Sequence, residues 1–322
     1  MNSPTREAIH SVILPAILIA AAPLFFPPIF VMKVLCFALF ASAFNLLLGY
    51  VGMMSFGHAA FFGMGAYTTA WVARTYGVPP ELCILLGGAV GMVLGAVFGA
   101  IAIRRQGLYF AMITLALAQM IYFLCVQAPM TGGEDGLHGI PRGSLFGVFP
   151  LDADMSLYPV IAVLFLVGFA LVNRIIESPF GEVLRAIREN EPRTISLGYD
   201  TRRYKWIVFT LSATIAGFAG GMKAILLGLV TLTDVHFALS GEVVLMTLIG
   251  GVGTLWGPVI GAAILVSMSQ FLAPYGAWVM VVNGAVFVFS VLVFRRGVAG
   301  TTSDLAARIF AKPTSPVATD RT

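Results

Sequence analysis

Ser55 and His58 have the residue types and the spacing of a nucleophile and its base. They lie three residues apart in GYVGMMSFGH (residues 49–58), where an imidazole could activate a hydroxyl. The surrounding pattern is G-x-x-S-x-G rather than G-x-S-x-G, and no acidic residue lies near enough in sequence to orient the imidazole. We therefore predict no catalytic residues, and interpret the pair as a helix cap or as hydrogen-bonding residues of a polar pathway.

The other residue types that carry chemistry form no recognisable site. His10, His138 and His236 are scattered and lack the spacing of a metal site. None of the four lysines follows a glycine, as the lysine of a P-loop must. We expect no metal and no cofactor in this chain, and we expect any energy from ATP to come from another protein.

Two glycine-rich segments, residues 49–58 and 250–258, interrupt long apolar runs. Non-helical backbone at membrane depth is tolerated only where it is buried in protein or lines a watery cavity. Helices that begin there would present free N–H groups to an anion such as a carboxylate. The alternative is a packing kink. The candidate pathway-lining residues are Gly52, Ser55, Gly57, His58, Gly250, Gly251, Gly253, Thr254 and Gly257.

The composition indicates that membrane-spanning helices must position these residues. Hydrophobic residues make up 59% of the 322 and charged residues 11%, against about 25% charged residues in a soluble domain. This excludes an ordinary soluble globule, a disordered chain and a disulfide scaffold. The basic residues cluster at the ends of apolar runs, so they report topology rather than a nucleic-acid partner.

The apolar runs predict an all-α, polytopic helical membrane protein with about eight full spans and one hairpin. The hairpin, residues 241–272, is re-entrant or broken, because each arm of about 15 residues reaches roughly 22 Å, short of the roughly 30 Å hydrocarbon core. The predicted full spans are residues 11–32, 34–51, 54–73, 82–103, 107–128, 158–176, 205–228 and 274–294.

The distribution of lysine and arginine predicts the orientation. Residues 177–205 are rich in basic residues, whereas residues 129–157 hold Arg142 beside four acidic residues. The positive-inside rule therefore places residues 177–205 in the cytoplasm. We predict a short cytoplasmic N-terminus (1–10), a transmembrane domain (11–296) and a cytoplasmic, loosely ordered tail (297–322), with both termini cytoplasmic.

Residues 177–205 predict a short amphipathic helix. Ser178 and Pro179 are typical of a helix start, and Pro192 ends the helix. Val183, Leu184 and Ile187 form an apolar stripe on one face. We favour a docking surface for a cytoplasmic partner. The alternative is a helix that rests on the membrane interface.

Glycines and one lysine inside the apolar runs predict further contacts. Gly87, Gly91, Gly95 and Gly99 form a ridge that lets another helix approach closely. Lys223 lies within a predicted span, where it either snorkels or faces the bundle interior. The spans otherwise lack the carboxylates of an ion-coupled secondary transporter.

Five ordered motifs resemble the LivM-type permeases of branched-chain amino-acid ABC importers, over roughly residues 33–296. They are FNLLLGYVGMMSFGHAAFFGMGAY (44–67), GLYFAMITLALAQM (107–120), TGGEDGL (131–137), ENEPRTISLGYDTRRYK (189–205) and GGVGTLWGPVIGA (250–262). The resemblance implies a bacterial inner-membrane subunit without its own ATPase site. It also implies a LivH-type permease partner, two cytoplasmic ATPases that bind ATP and Mg, and a periplasmic binding protein.

The resemblance also implies that residues 181–198 are the loop that couples to the ATPases. The coupling candidates are Gly181, Val183, Leu184, Ile187, Glu191 and Gly198. The function it implies is inward transport of branched-chain or related small amino acids by alternating access. Permeases for urea, short amides and some aromatic acids look similar, and a self-sufficient ion-coupled transporter is the rival from another class.

Overall fold

The computed structural model describes residues 19, 21–145, 147, 149–272 and 284–285 of the chain. Within this part of the chain, the helices with described bounds are α1 Pro28–Leu48, α2 His58–Tyr76, α3 Pro80–Ala102, α4 Leu108–Gln127, α5 Asp154–Glu177, α6 Pro179–Ser196, α7 Thr201–Leu227, α8 Phe237–Gly250 and α9 Gly257–Leu272. Two antiparallel pairs of two-residue strands lie in the connections: β1 Leu137–His138 with β4 Leu229–Val230, and β2 Ser144–Leu145 with β3 Phe149–Pro150. Apart from these short strands the described residues are mainly helical, so the predicted all-α class is confirmed.

The described helices include five that are long and apolar enough to cross a membrane, namely α1, α3, α4, α5 and α7. Helix α2 has 19 residues, and the apolar helices α8 and α9 are shorter, with 14 and 16. The polytopic membrane class is therefore confirmed. The first ten residues, the last predicted span apart from residues 284–285, and the tail lie outside the described residues. The count of eight spans and the domain bounds stay predictions.

The start of α1 differs from the prediction that one span ends at residue 32 and the next begins at 34. A 3-10 turn covers Ala22–Leu24, and α1 runs from Pro28 without a break at residue 33. Pro27 holds an extended ψ of 133°, and Pro28 occupies the first turn, where its missing N–H costs nothing. Proline chemistry thus sets this boundary, because hydrophobicity alone changes little between residues 22 and 48.

Helix α7 packs most extensively against α3 and α2, and the glycine ridge of α3 lies in that interface. A Cβ added at Gly91 would lie 2.5 Å from the carbonyl oxygen of Ala213, and one added at Gly217 would lie 2.6 Å from that of Gly87. The ridge therefore allows the close helix approach that its spacing predicts, and packing accounts for it.

Both predicted breaks are present. Helix α1 ends at Leu48 and α2 begins at His58, while α8 ends at Gly250 and α9 begins at Gly257. The first arm of the second hairpin, α8, is about 21 Å long at 1.5 Å per residue, and the described part of the second arm, α9, is about 24 Å long. That the hairpin is too short to cross the membrane stays a prediction.

The two ends of the bundle are named as follows. The α6 end is the end where α1 ends, α6 lies and α7 begins, and the opposite end is the far end.

Lys223 faces the bundle interior near the far end. Its Nζ lies 2.6 Å from both carboxylate oxygens of Asp234, and both side chains are almost fully buried. Asp234 belongs to a 3-10 turn, Leu232–Asp234, just before α8, outside the predicted spans. The sequence interpretation therefore missed the carboxylate that pairs with this lysine.

Candidate functional site

Helix α6 is amphipathic, as its sequence predicts, but it is kinked at Asn190 and continues to Ser196, whereas the sequence predicted that it ends at Pro192. Pro179 occupies the first turn after Ser178, and Asn190 leaves helical geometry at φ −156° and ψ 93°. Pro192 lies two residues later and lacks the N–H that a continuous helix would use, which accounts for the interruption. Gly198 follows the second piece at φ +91°, a conformation that favours glycine.

The apolar stripe of α6 is buried by this chain itself. Leu184 and Ile187 are 1% and 4% exposed, and Val183 packs against the same core. Gly181 is buried too, close to the carbonyl of Ile176. Leu184 and Ile187 thus pack against this chain, where α6 contacts α5 and α7, and docking of a partner on this stripe stays a prediction. Whether these residues transmit movement stays a prediction.

Arg188 of α6 touches both broken segments at the α6 end. Its guanidinium donates to the carbonyl oxygen of Gly49, the residue that caps α1. A Cβ added at Gly253 would meet the same guanidinium at 2.9 Å, and the Cγ of Arg188 lies against Gly52. Gly52 and Gly253 have φ of +78° and +81°, which glycine tolerates at little cost. One side chain therefore links α6 to both breaks.

Asn45, in the last turn of α1, joins the two breaks to each other. Its Oδ1 accepts from the N–H of Gly253 at 3.0 Å, and its Nδ2 donates to the carbonyl of Thr254 at 2.9 Å. Both partners belong to the tip between α8 and α9. Hydrogen bonds inside the tip also stabilise it. The Thr254 hydroxyl donates to the carbonyl of Gly251 at 2.8 Å and accepts from the N–H of Gly257 at 3.1 Å.

Glu191, just after the kink of α6, anchors the loop to the bundle. Its Oε1 lies 2.6 Å from Nζ of Lys205 and accepts from the hydroxyl of Thr201 at 3.0 Å. Its Oε2 accepts from Nε2 of Gln106 at 3.0 Å. The carboxylate thus ties α6 to the start of α7 and to the connection between α3 and α4.

A cavity of about 580 Å³ opens at the α6 end between the first break, the start of α4 and α6. Its lining includes Gly52, the apolar side chains of Met53 and Phe56, and the charged side chains of Arg105, Arg188 and Lys205. A second cavity of about 300 Å³ lies between Gly49, Tyr50 and Gly253 on one side and Arg185 and Arg188 on the other. Both cavities touch α6 and a broken segment.

Tyr50 is the aromatic member of this second cavity. The Cζ of Arg185 lies 5.6 Å from the centroid of its ring, in a cation–π contact.

The candidates of the first break divide into two groups. Gly52 is exposed and lines the 580 Å³ cavity, whereas Ser55, Gly57 and His58 are buried. The Ser55 hydroxyl accepts from the N–H of Gly57 at 3.2 Å, and His58 Nε2 lies 2.9 Å from the hydroxyl of Ser212. The described contacts of Ser55 and His58 thus show a turn and a packed core in place of a nucleophile–base pair.

The candidates of the second break also divide. Gly253 lines the 300 Å³ cavity, and Thr254 is partly exposed beside it. Gly250, Gly251 and Gly257 are buried at the close approach of α8 and α9. Their lining of a transport pathway stays a prediction.

Sequence interpretation missed Asn45, Arg188, Lys205 and Ser212 as members of this site. A polar asparagine within the apolar run 34–51 was a usable signal, since buried polar groups require partners. The sequence does not indicate which residues bond to Asn45, because Thr254 lies 209 residues away in the chain.

These apolar spanning helices, interrupted twice and linked by an amphipathic helix, define a multi-pass membrane protein. Residues 29–291 match the family model described as branched-chain amino acid transport system / permease component, and the chain belongs to this family. The matched residues nearly coincide with the range over which the five motifs resemble such permeases.

Relatives within and around this family differ in what they transport. The chain is 28% identical over 271 residues to the high-affinity branched-chain amino acid transport system permease protein LivM of Escherichia coli K12, covering 77% of this chain and 64% of that protein. It therefore spans less than two thirds of that relative. It is 23% identical to LivH of the same strain, and the alignment covers 82% of this chain and 91% of LivH. It is 27% identical to the L-arabinose ABC transporter permease protein AraH of Azospirillum brasilense, and the alignment covers 71% of this chain and 66% of AraH. No solved structure matches the chain.

Proposed function

We propose that this chain is the inner-membrane permease subunit of an ATP-binding-cassette importer. It moves branched-chain or related small amino acids inward by alternating access. The α6 end faces the cytoplasm, with both termini on that side, in agreement with the arginine-rich residues 177–205. Family membership and the apolar helices support this proposal.

One observation carries the proposed mechanism: α6 is joined to both broken segments at once. Arg188 contacts Gly49 and lies against Gly253, and Asn45 fastens the two segments together. A force applied to α6 from the cytoplasm would therefore reach both breaks through a few hydrogen bonds. Both breaks contact α6 and both border a cavity at the α6 end, so we infer that they form the gate.

The partners follow from the energy requirement. No lysine of this chain follows a glycine, so ATP and Mg are bound by two partner ATPases that dock on the exposed face of α6. A LivH-type permease completes the transmembrane pair, and a periplasmic protein delivers the solute. Ion coupling is less well supported, because the buried carboxylate of Asp234 is already neutralised by Lys223.

The substrate class is proposed from the relatives that this chain resembles. LivM relatives favour branched-chain amino acids, while AraH is named for arabinose, and the alternatives of urea, short amides and aromatic acids stay open. Reconstitution of the complete complex in vesicles tests the proposal. We expect leucine uptake that requires ATP and the ATPases, and no ATP hydrolysis by this subunit alone. Uptake driven by an ion gradient without ATP would refute it.

A further inference from the structure

A groove between the end of α3 and the start of α7 is lined by arginines. Its volume is about 400 Å³, and Arg104 of the α3–α4 connection lines it together with Arg202 and Arg203 of α7. A neighbouring cavity of about 480 Å³ shares Arg104 and Arg202. The positive-inside rule explains basic residues at this end of the bundle, but it does not explain their convergence on one concave surface.

The positive charge of the groove is not balanced within the described residues. Arg104, Arg202 and Arg203 are exposed, and their side chains make no ion pair or hydrogen bond within that part of the chain. The one carboxylate of the groove belongs to Asp200, which caps α7 by accepting from the N–H of Arg203 at 3.2 Å. The groove therefore offers three unpaired guanidinium groups to an anion.

An exposed apolar surface leads along α3 into this groove. Met92, Val93, Val97 and Ile101 of α3 are 49%, 59%, 51% and 47% exposed. Such a stripe on a spanning helix faces lipid tails. Trp206 lies where the stripe meets the arginines; the residue is 39% exposed, and its Nε1 donates to the carbonyl of Ala96 at 2.9 Å. Tryptophan favours the boundary between the hydrocarbon core and the headgroups.

We propose that the groove binds the headgroup of an anionic phospholipid, with an acyl chain lying along α3. The phosphodiester pairs with Arg104, Arg202 and Arg203, since guanidinium groups bind phosphate oxygens with favourable geometry. Basic pockets at helix ends are typical sites for such headgroups. Charge and apolar surface occur together here, and a lipid needs both, whereas an ATPase in the cytoplasm would not use the stripe along α3.

Retention of phosphatidylglycerol by the assembled complex tests this site. The complex is placed in bilayers of phosphatidylcholine and phosphatidylglycerol in equal amounts, extracted in mild detergent, and its bound lipid is measured by mass spectrometry. The variants are Arg202→Gln with Arg203→Gln, and a control, Arg174→Gln. Arg174 is exposed at the α6 end of α5 and lines neither arginine-rich cavity.

We expect bound phosphatidylglycerol to fall roughly fivefold for each groove arginine removed, and to be unchanged in the control. The two arginines are exposed, so the unfolding temperature should be unaltered, which separates lipid loss from misfolding. Equal retention by all variants would overturn the proposal. A loss of ATPase recovery with lipid retention unchanged would also overturn it, and would assign the groove to a protein partner. Either result leaves the proposed transport function intact.

Discussion

The side-chain amide of Asn45 donates to the carbonyl oxygen of Thr254 at 2.9 Å, across 209 residues of sequence. The same side chain accepts from the N–H of Gly253, so both ends of one amide hold the tip between α8 and α9 against the end of α1. An amide is the side chain suited to this position, because it donates and accepts at once.

Replacement of Asn45 by alanine should weaken this link. The substitution leaves the Gly253 N–H and the Thr254 carbonyl without partners in a part-buried site, which costs about 1 to 3 kcal/mol. The midpoint temperature of thermal unfolding in detergent measures this loss of stability. Ser42→Ala is the matched control, since the Ser42 hydroxyl lies in the same helix and donates to the carbonyl of Ala38 within α1. A larger loss in the control would contradict the assignment.

The ion pair of Glu191 and Lys205 should show strong coupling between its two residues. The Lys205 side chain is 8% exposed and Glu191 is 21% exposed, so Glu191→Gln leaves a poorly solvated ammonium unpaired. We expect a loss of about 2 to 3 kcal/mol, below the full range for a buried pair because Glu191 keeps solvent contact. Adding Lys205→Met to Glu191→Gln should restore part of this stability. Additive losses in the double variant would argue against the pair.

Leu184 should act on the stability of this chain even without partners. Its side chain is 1% exposed, so Leu184→Ala is expected to cost about 2 to 5 kcal/mol. Unfolding of the isolated subunit measures this, with Glu189→Gln on the exposed face of α6 as the control. An unchanged unfolding temperature for Leu184→Ala would mean that the stripe serves a partner, as the sequence alone had indicated.

Gly91 and Gly241 should respond to alanine with opposite signs. Both lie inside helices, but a Cβ at Gly91 would meet the carbonyl oxygen of Ala213 at 2.5 Å, whereas a Cβ at Gly241 meets nothing within 4 Å. Gly91→Ala is expected to destabilise the chain by about 1 to 3 kcal/mol by forcing α3 and α7 apart. Gly241→Ala should stabilise it by up to about 1 kcal/mol through helix propensity. Similar unfolding temperatures would contradict the close packing.

Much of the fold could be predicted because the relevant signals are local. The bounds of α3, α4 and α5 lie within a few residues of the predicted spans, and the breaks at glycine-rich segments are present. The start of α1 was misplaced because two prolines, and not a change in hydropathy, set it. Local rules thus suffice wherever the determining residues are adjacent in sequence.

The site was predicted less completely because its contacts are long-range. Periodicity identified the apolar stripe of α6 but could not tell whether Leu184 faces this chain or a partner, since both produce the same pattern. Lys223 was identified as unusual, while its partner Asp234 lies outside the predicted span. The link from Asn45 to Thr254 requires the three-dimensional arrangement of helices that are far apart in sequence.

The amount of leucine transported per ATP hydrolysed by the reconstituted complex tests the central claim most directly. Arg188→Gln removes the guanidinium that joins α6 to Gly49 and that lies against Gly253, while Arg174→Gln removes a charge elsewhere at the same end. We expect Arg188→Gln to retain ATP hydrolysis and lose at least about tenfold in leucine per ATP, equivalent to about 1.4 kcal/mol of lost coupling. The control should match the unmodified complex. An unchanged ratio in Arg188→Gln would show that α6 does not drive the broken helices through this contact.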